Sequence, residues 1–326
     1  MNFQKERNLF EKKKKIYESY KLIFLGLQNK DVYNPSIPFK WGDKEYLYGR
    51  IEHRDEWARS LVGLFKRTNQ DEWSLVSNSK LYQLEDPFIT IINEELILGG
   101  VFVEHKQNKI DKYYTCFFRG KDPNSLNYFT SGPDNMKDIR LVELQDNKIG
   151  VFSRPKNNEI KKIYNSESII GFTKINNLNE LNKRVIEEAK CIPNLFQNGE
   201  WGGVNQAYQL ENGLIGVIGH KCYKCHDQNN QPLSSYTNIA FIFDPIKHEI
   251  LNLKIIGTRN CYPKGPTKKP YLSDCAFTSG IVLNDNNKVN LYSGLSDCEV
   301  GRILIDNPFL KYGNVINKQK ELTLKK

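Results

Sequence analysis

Short apolar or alternating runs, separated by turns rich in Gly, Asn and Asp, dominate the pattern of this chain. Five turns have strand-like runs on both sides, and these are Gly42-Asp43, Asn93-Glu94-Glu95, Asp146-Asn147-Lys148, Glu211-Asn212-Gly213 and Asp285-Asn286-Asn287. Successive turns lie 51, 53, 66 and 74 residues apart, roughly the length that a unit of four strands needs. Radial repetition of such units predicts an all-β fold, a five-bladed β-propeller.

A helical pattern interrupts the strands. Behind the possible cap Asn177, apolar residues at helical spacing predict one short inserted helix over 178–189, between the third and fourth blades; they are Leu178, Leu181, Val185 and Ala189. The lysine-rich N-terminal segment is the other candidate, either helical or frayed. Because no low-complexity linker divides the chain, we expect a basic extension over 1–19, one catalytic propeller domain over 20–315 and a basic tail over 316–326.

The strand after each turn is expected to be the innermost strand of its blade. All five of these strands end in ionisable residues, at Arg50-Ile51-Glu52, Glu104-His105, Arg154-Pro155, Gly219-His220 and Gly294-Leu295-Ser296-Asp297. In a radial arrangement the five ends converge on one pocket at one face. Solvated loop residues are the alternative interpretation, because ionisable residues are common in loops.

The carboxylate pair Glu85-Asp86 lies directly before Pro87 and the apolar run 88–92. Because proline restricts the residue before it, Asp86 is expected in an extended conformation. Two adjacent carboxylates in a partly dry cleft repel, so one of them is expected to hold a proton near neutral pH. Cleavage of a glycosidic bond needs such a proton, because the leaving oxygen must be protonated. A charged strand entry without chemistry remains the alternative.

Composition narrows the class of partner. Aromatic residues make up 12% of the 326 residues, which suits β-rich structure and sugar-stacking surfaces. The net charge of +9 comes from scattered lysines without a nucleic-acid recognition motif, so we expect no nucleic acid but a small anion such as phosphate or a sugar phosphate. The apolar stretch 22–27 is too short for an export signal or a membrane span, and seven scattered cysteines suit reduced thiols. We therefore expect a cytoplasmic protein with no membrane partner.

A zinc site is the alternative for one short motif. Cys222 and Cys225 have ligand spacing and lie between His220 and His226, but no second pair of cysteines completes a tetrahedral site. We predict no metal and read both cysteines as ordinary thiols, and structural zinc stays open.

A pocket with few acids and several cations favours phosphorolysis over hydrolysis. An inverting hydrolase needs a second carboxylate to activate water, whereas phosphate is already a nucleophile and has only to be held. Guanidinium forks and imidazolium donors match phosphate, which makes Arg140, Arg154 and His220 the candidate ligands. Inorganic phosphate would be a co-substrate, and no cofactor is expected.

Several segments carry a resemblance that covers roughly residues 20–310. They are 31–39 (DVYNPSIPF), 49–55 (GRIEHRD), 85–87 (EDP), 150–155 (GVFSRP), 213–220 (GLIGVIGH) and 292–297 (YSGLSD). In this order they resemble the family catalogued as domain of unknown function 1861. That family is a five-bladed propeller group related to the mannoside phosphorylases of glycoside hydrolase family 130, and it resembles the mannosyltransferase/phosphorylases of glycosyltransferase family 108.

The resemblance implies roles for matching residues. Asp86 would be the general acid, relaying its proton through a sugar hydroxyl to the glycosidic oxygen. Asn34 and Arg50 would bind the sugar whose bond is broken, and Asp297 would grip its hydroxyls. Phosphate would be bound by Arg154 and His220, with Arg140 a looser match. The wider predicted substrate-binding set adds Glu52, Arg54, Asp55, Glu85, Glu104, Trp201 and Asp274, where Trp201 is a possible sugar-stacking platform.

Two departures from family 130 are visible. Phe88 stands where that family usually has arginine after the Glu-Asp-Pro motif, and the phosphate-binding lysine of that family has no clear counterpart near 200–205.

The sequence hypothesis is inverting phosphorolysis, and reverse synthesis, of β-mannosides, with β-1,2-mannooligosaccharides as substrates and mannose 1-phosphate as product. The rivals are a GDP-mannose-dependent mannosyltransferase, a hydrolase with Asp297 or Glu104 as base, and a propeller that binds sugar without turnover.

Overall fold

The computed structural model describes residues 3–107 and 109–316. Strands predominate and form five sheets around a central axis. Blade 1 contains β2 (Ile23–Leu25), β3 (Asp31–Tyr33), β4 (Phe39–Trp41), β5 (Lys44–Glu52), β6 (Leu61–Asn69) and β7 (Glu72–Leu75). Blade 2 contains β8 (Glu85–Ile92), β9 (Glu95–Lys106), β10 (Lys109–Gly120) and β11 (Asn127–Ser131). The five-bladed propeller predicted from the turn spacing is confirmed.

The remaining blades have four strands each. Blade 3 contains β12 (Arg140–Glu143), β13 (Ile149–Ser153), β14 (Ile170–Ile175) and β15 (Lys190–Ile192). Blade 4 contains β16 (Glu200–Gln209), β17 (Ile215–His226), β18 (Pro232–Asp244) and β19 (Glu249–Gly257). Blade 5 contains β20 (Ala276–Leu283), β21 (Lys288–Leu295) and β22 (Glu299–Asp306), and its fourth strand is β1 (Glu18–Lys21) from the N-terminal end. Pairing of β1 with β22 therefore joins the two ends of the chain in one sheet.

The expected position of the innermost strands was wrong. The strand after each turn pairs on both sides, as β9 does with β8 and β10, so it is the second strand of its blade. The first strands β8, β12, β16 and β20 contact one another in sequence and surround the axis. An antiparallel hairpin brings the far end of the second strand beside the start of the first. The ionisable ends predicted from the second strands therefore still reach the same face.

Apolar clusters fill the gaps between neighbouring blades. Between blades 3 and 4, the ring of Phe243 lies 5.6 Å from that of Phe152 and 4.7 Å from that of Phe172. Similar clusters lie between blades 1 and 2, 2 and 3, 4 and 5, and 5 and 1. Because alternate side chains of each strand face opposite sides of the sheet, both faces of a blade are buried and the blades are held at fixed angles.

The helices differ from the prediction of one inserted helix. The structure has α1 (Phe3–Lys13), α2 (Asn158–Tyr164) and α3 (Lys183–Glu187) within the described residues. The expected helix over 178–189 is split into a 3₁₀ turn, Leu178–Glu180, and α3, and it lies inside blade 3 between β14 and β15. The Asn182 side chain accepts a hydrogen bond from the Val185 amide at 3.1 Å, which starts α3 afresh. The α2 helix was not predicted.

The ends of the chain bear on the predicted domain limits. The boundary expected between residues 19 and 20 falls inside β1, and α1 packs on the propeller through buried Phe3 and an ion pair of 2.6 Å between Arg7 and Asp274. Nearly all of the tail, residues 317–326, lies outside the described residues, so the division into extension, domain and tail stays a prediction. No helix in the described part of the chain is long and apolar enough to cross a membrane.

Candidate active site

A cavity of about 780 Å³ opens at the face where first strands begin and second strands end. Eight of the predicted site residues line it: Asn34, Arg50, Glu85, Asp86, Arg154, Trp201, His220 and Asp297. All five blades contribute to this set. The topology therefore brings together residues that are up to 263 positions apart, from 34 to 297, as the radial arrangement predicted.

Asp86 lies in an irregular stretch of β8 at the base of the cavity. The register with β9 shifts between Glu85 and Phe88, and the φ angle of Asp86 is 48°. This is the left-handed region, so the expected extended conformation was wrong. A positive φ at a residue with a side chain costs free energy and persists only when the surroundings fix it. The bulge turns the carboxylate away from the ladder, and Asp86 is 5% exposed.

Three groups fix the charges around Asp86. Oδ1 of Asp86 accepts hydrogen bonds from Nδ2 of Asn34 at 2.8 Å and from the Arg50 guanidinium at 3.0 Å. Burial opposes ionisation, yet the charges of Arg50 and Lys137 hold the pKa of Asp86 below its usual value. For Glu85, burial raises the pKa and the charge of Asp86 adds to it, while Arg50 opposes. Of the pair, Glu85 is therefore the group that takes up a proton more readily, and Asp86 is the one whose ionised form is favoured.

Arg50 connects the two carboxylates. Its guanidinium lies 2.7 Å from Glu85 and 3.0 Å from Asp86, its Nε donates to the Ser60 hydroxyl at 2.7 Å, and it stacks 4.7 Å above the ring of Tyr33. These contacts hold its planar fork in one orientation. Arg50 is thus positioned to fix the direction of both carboxylates.

Glu52 lies behind the cavity wall. Its carboxylate accepts hydrogen bonds from Tyr33 and Lys268, from the Ser60 hydroxyl at 2.9 Å and from the Arg59 amide at 2.8 Å. Lys268 belongs to the segment before blade 5, so this buried pair ties blade 5 to blade 1. The structure places Glu52 as a support for Arg50, and its expected contact with sugar stays a prediction.

Asn34 and Asp297 both line the cavity near Asp86, since Asn34 donates to the Asp86 carboxylate, and burial together with the charge of Asp86 raises the pKa of Asp297. Both have positive φ angles, 44° and 54°. A Cβ on Gly294 would lie 1.8 Å from Oδ1 of Asn34, so only glycine allows this approach. That Oδ1 is buried against Gly294 and has no hydrogen-bond partner among the described residues. Burial raises the pKa of Asp297, partly against the charge of Arg50.

A second charged cluster surrounds Asp138, a residue that the sequence analysis did not select. Asp138 forms an ion pair with Arg154, and it lies 3.7 Å from Nε2 of His220 and 4.0 Å from Arg140. Burial opposes its ionisation, but Arg154 keeps the pKa of Asp138 well below the usual range. A Cβ on Gly203 would lie 2.9 Å from Oδ2 of Asp138, so glycine permits the packing. One buried anion therefore holds several cationic or polar groups at the cavity.

The expected imidazolium at His220 was wrong for the free protein. Burial lowers the pKa of His220 to about 3, Asp138 opposes this and Arg154 adds to it. Nδ1 of His220 lies 2.7 Å from Oδ1 of Asn205, so that nitrogen carries the proton if the amide oxygen is the acceptor. The neutral ring then has a lone pair on Nε2.

Arg140 and Arg154 have different surroundings. Arg140 stacks 4.3 Å from the ring of Phe88 and donates to the carbonyls of Asn205 at 2.8 Å and Ile139 at 3.1 Å, and it lies outside the cavity lining. Arg154 lines the cavity, and within 3–107 and 109–316 its buried Nε has no hydrogen-bond partner. Of the two arginines, Arg154 is therefore the one that an anion in the cavity can reach.

Besides Glu52, four more predicted substrate-binding residues lie outside the cavity lining. Arg54 is exposed and paired with Asp31, and Asp55 is exposed. Glu104 lies 3.3 Å from Lys112 on the blade surface, and Asp274 is paired with Arg7 of α1. The substrate contacts expected for Arg54, Asp55, Glu104 and Asp274 have no support in this arrangement and stay predictions.

Trp201 and the cysteine motif complete the predicted set. Trp201 lines the cavity and contacts the ring of Tyr236 edge-to-face at 6.0 Å between centroids. Cys222 is buried, whereas Cys225 is half-buried on the same strand. No group of three or more His, Cys, Asp or Glu residues in the described part of the chain is arranged to hold a metal ion.

The sequence analysis missed Lys137 and Asp138 because it followed the ends of the second strands. Both residues lie just before β12, the first strand of blade 3, as Asp86 lies near the start of β8. Lys137 lines the cavity, and its charge acts on Asp86, Glu85 and His220. The signal that could have found them is the start of each first strand, which meets the same face.

With this geometry established, comparison with protein families places the chain. The model of the family described as "Protein of unknown function (DUF1861)" matches residues 8–311. The chain belongs to the DUF1861 family. A search of curated proteins finds no match.

Solved structures of known enzymes are similar to this DUF1861 member. MPT-4 of Leishmania mexicana, a mannose phosphorylase solved with a phosphate ion, is 43% identical over 99% of this chain and 98% of its own, with a TM-score of 0.93. MPT-1 of the same organism, a GDP-Man-dependent mannosyltransferase, is 42% identical over 95% of this chain and 96% of its own, with a TM-score of 0.88. The β-1,2-mannobiose phosphorylase of Listeria innocua is 13% identical over 88% and 93% of the two chains, with a TM-score of 0.61, and shares the fold. The close relatives therefore include both a phosphorylase and a transferase of mannose.

Proposed function

We propose that this protein transfers mannosyl groups between phosphate and β-mannosides, by inverting phosphorolysis and its reverse synthesis, with β-1,2-mannooligosaccharides as substrates and mannose 1-phosphate as the sugar product. The observation that carries the proposal is one cavity with two unlike charged groups. The carboxylates Glu85 and Asp86 line the same cavity as the basic side chains Lys137 and Arg154. The close likeness to a mannose phosphorylase solved with phosphate supports the same conclusion.

The cavity residues would have separate roles in binding the sugar, binding phosphate and transferring the proton. Asn34, Arg50 and Asp297, which line the cavity together, would bind the mannose unit. Arg154 and Lys137 would bind phosphate through charge, and Nε2 of neutral His220 would accept a hydrogen bond from a protonated phosphate oxygen. A phosphate oxygen then bonds to the anomeric carbon while the glycosidic C–O bond breaks. The leaving oxygen keeps the electron pair and takes a proton from Asp86, directly or through a sugar hydroxyl, with inversion.

The ionised form of Asp86 is the form that the synthetic direction uses. An ionised carboxylate can accept the proton of an acceptor hydroxyl at once, whereas phosphorolysis first requires Asp86 to be protonated. Arg50 and Lys137 hold the pKa of Asp86 low in the free protein. A bound phosphate near Lys137 would offset part of that positive charge and raise the pKa of Asp86. Phosphate binding would thus prepare the acid that phosphorolysis needs.

A nucleotide-sugar donor is the second candidate. Lys156 and Lys224 also line the cavity beside Arg154, and burial with these neighbouring charges lowers the pKa of Lys156. A diphosphate carries more negative charge than the single phosphate that Arg154 and Lys137 could hold. The likeness to a GDP-Man-dependent transferase supports this alternative. For a hydrolase, Asp297 is the candidate base that lines the cavity, since Glu104 does not.

One comparison of donors tests the proposal. The purified protein is incubated with mannose 1-phosphate and mannose, and in parallel with GDP-mannose and mannose, while released phosphate and GDP are measured. Phosphate release with growth of β-linked oligomers is the expected result. GDP release without phosphate release would overturn the proposed phosphorolysis and identify a GDP-mannose-dependent transferase. If neither phosphate nor GDP is released but calorimetry detects mannose binding, the protein would be a propeller that binds sugar without turnover.

A further inference from the structure

The two walls of the cavity differ in chemistry. Blades 3 and 4 contribute the basic side chains Lys137, Arg154, Lys156 and Lys224. Blades 1 and 2 contribute a wall that carries no charge, here named the Trp57 wall, consisting of Trp57, Ala58, Val101, Val103, Ile110 and Tyr113. The proposed reaction uses the basic wall for the anion and assigns nothing to the Trp57 wall.

The Trp57 wall has a fixed core. Ala58, Val101 and Val103 form a small buried cluster, with Tyr113 packed against it. Ala58 has a φ of 58°, an unfavourable angle for alanine, and the next residue is anchored because the Arg59 amide donates to Oε1 of Glu52 at 2.8 Å. The loop between β5 and β6 is therefore held by the same buried network that positions Arg50. Trp57 is carried on this anchored turn.

The side chain of Trp57 nevertheless remains 46% exposed. Ile110, on β10, is also 46% exposed. Large apolar side chains that stay open beside a polar cavity indicate a surface for a ligand. Aromatic faces match the C–H face of a pyranose ring, and a neutral oligosaccharide gains little from the opposite, basic wall. The wall is continuous with the part of the cavity where Asp86 and Asn34 lie.

We infer that the Trp57 wall binds the further sugar units of a neutral oligosaccharide acceptor, beyond the units at the bond that is made or broken. This inference rests on the proposed mannosyl transfer for the identity of the sugar. A cavity of about 780 Å³ falls in the upper part of the range for ligands of drug size, which is room for more than one hexose. The acceptor chain runs along blades 1 and 2, and the phosphate side faces blades 3 and 4.

Binding measured against chain length tests the inference without turnover. Mannose, β-1,2-mannobiose and β-1,2-mannotriose are titrated by calorimetry into the wild-type protein, Trp57→Ala, Trp57→Phe and the control Tyr128→Ala. Tyr128 on β11 is 56% exposed and lies outside the cavity lining. We expect the wild type to bind the triose more tightly than mannose. Trp57→Ala should weaken triose binding roughly tenfold and mannose binding less than twofold, and Trp57→Phe should recover most of the loss.

The opposite results are equally clear. Triose binding by Trp57→Ala equal to wild type, an equal loss for mannose and triose, or no preference of the wild type for the longer chain would each overturn the inference. Phosphate release from mannose 1-phosphate with the same acceptors separates it from the proposed function. Binding that depends on length and on Trp57, without release for any acceptor, would overturn mannosyl transfer from phosphate and keep the Trp57 wall. Phosphate release together with unchanged binding of every acceptor by Trp57→Ala would overturn the role of the Trp57 wall and keep mannosyl transfer from phosphate.

Discussion

Two buried charged clusters beside the cavity are opposite in composition. Around Arg50, one guanidinium meets three carboxylates, those of Glu52, Glu85 and Asp86. Around Asp138, one carboxylate meets three basic side chains, those of Arg140, Arg154 and His220. In the first cluster burial and mutual repulsion raise the pKa of Glu85. In the second cluster burial keeps His220 neutral and leaves the Nε of Arg154 without a partner among the described residues.

The difference indicates what each cluster can do. An excess of carboxylates around one cation makes proton positions depend on small changes of charge, which suits acid–base chemistry. An excess of basic groups around one anion leaves donors for a second anion, which suits phosphate. Four substitutions test whether the two clusters act separately.

Asp86→Asn should have the largest effect. Because the amide can neither give nor take the proton, we expect kcat to fall roughly 10³-fold while mannose still binds. Phosphate release from mannose 1-phosphate measures kcat, and calorimetry measures sugar binding. Glu249→Gln, at an exposed carboxylate outside the cavity lining, is the matched control and should keep full activity. Full turnover by Asp86→Asn would show that another group carries the proton.

Glu52→Gln should mainly destabilise the fold. The change leaves Lys268 buried without its counter-ion, so we expect the free energy of unfolding to fall by about 3 kcal/mol. Chemical denaturation measures this, and Glu104→Gln should change it by less than about 0.5 kcal/mol because its ion pair is exposed. Unchanged stability with a raised KM for sugar would instead place Glu52 in contact with substrate.

Arg154→Ala should weaken phosphate binding selectively. Loss of a charged donor is expected to raise the KM for phosphate roughly 10- to 100-fold, with a smaller change for the mannoside. Phosphorolysis rates at varied phosphate and mannobiose measure both constants. Arg154→Lys keeps a positive charge beside Asp138, so its KM for phosphate should lie between those of the wild type and Arg154→Ala. An equal rise in both KM values would mean that the clusters are not separate.

The stability of the second cluster should depend on pH through His220. Between about pH 6.5 and pH 3 the unfolded chain binds a proton on this residue and the folded protein does not, so stability falls as the pH falls. We expect the wild type to lose about 1 to 2 kcal/mol more than His220→Gln between about pH 6.5 and pH 5. Denaturation at both pH values measures the loss. His226→Gln, at an exposed position of the same strand, should behave as wild type. Parallel profiles for His220→Gln and wild type would contradict a neutral, buried imidazole.

The amino-acid sequence alone determined the five-bladed repetition and eight of the residues that line the cavity. Turn residues and period-2 runs are local signals, so Asn93-Glu94-Glu95 and its counterparts could be read directly. The motifs around Asn34, Arg50, Asp86, Arg154, His220 and Asp297 all reached the cavity. A strand pattern shows which residues share a face, and that was enough to bring the strand ends together.

Only the tertiary structure decided what each of these side chains contacts. The pattern could not reveal that Glu52 pairs with Lys268 or that Arg140 stacks on Phe88. These contacts join blades distant in sequence, so no local signal encodes them. The tertiary structure also sets the pKa shifts of Asp86, Glu85 and His220, because a pKa depends on burial and on every nearby charge.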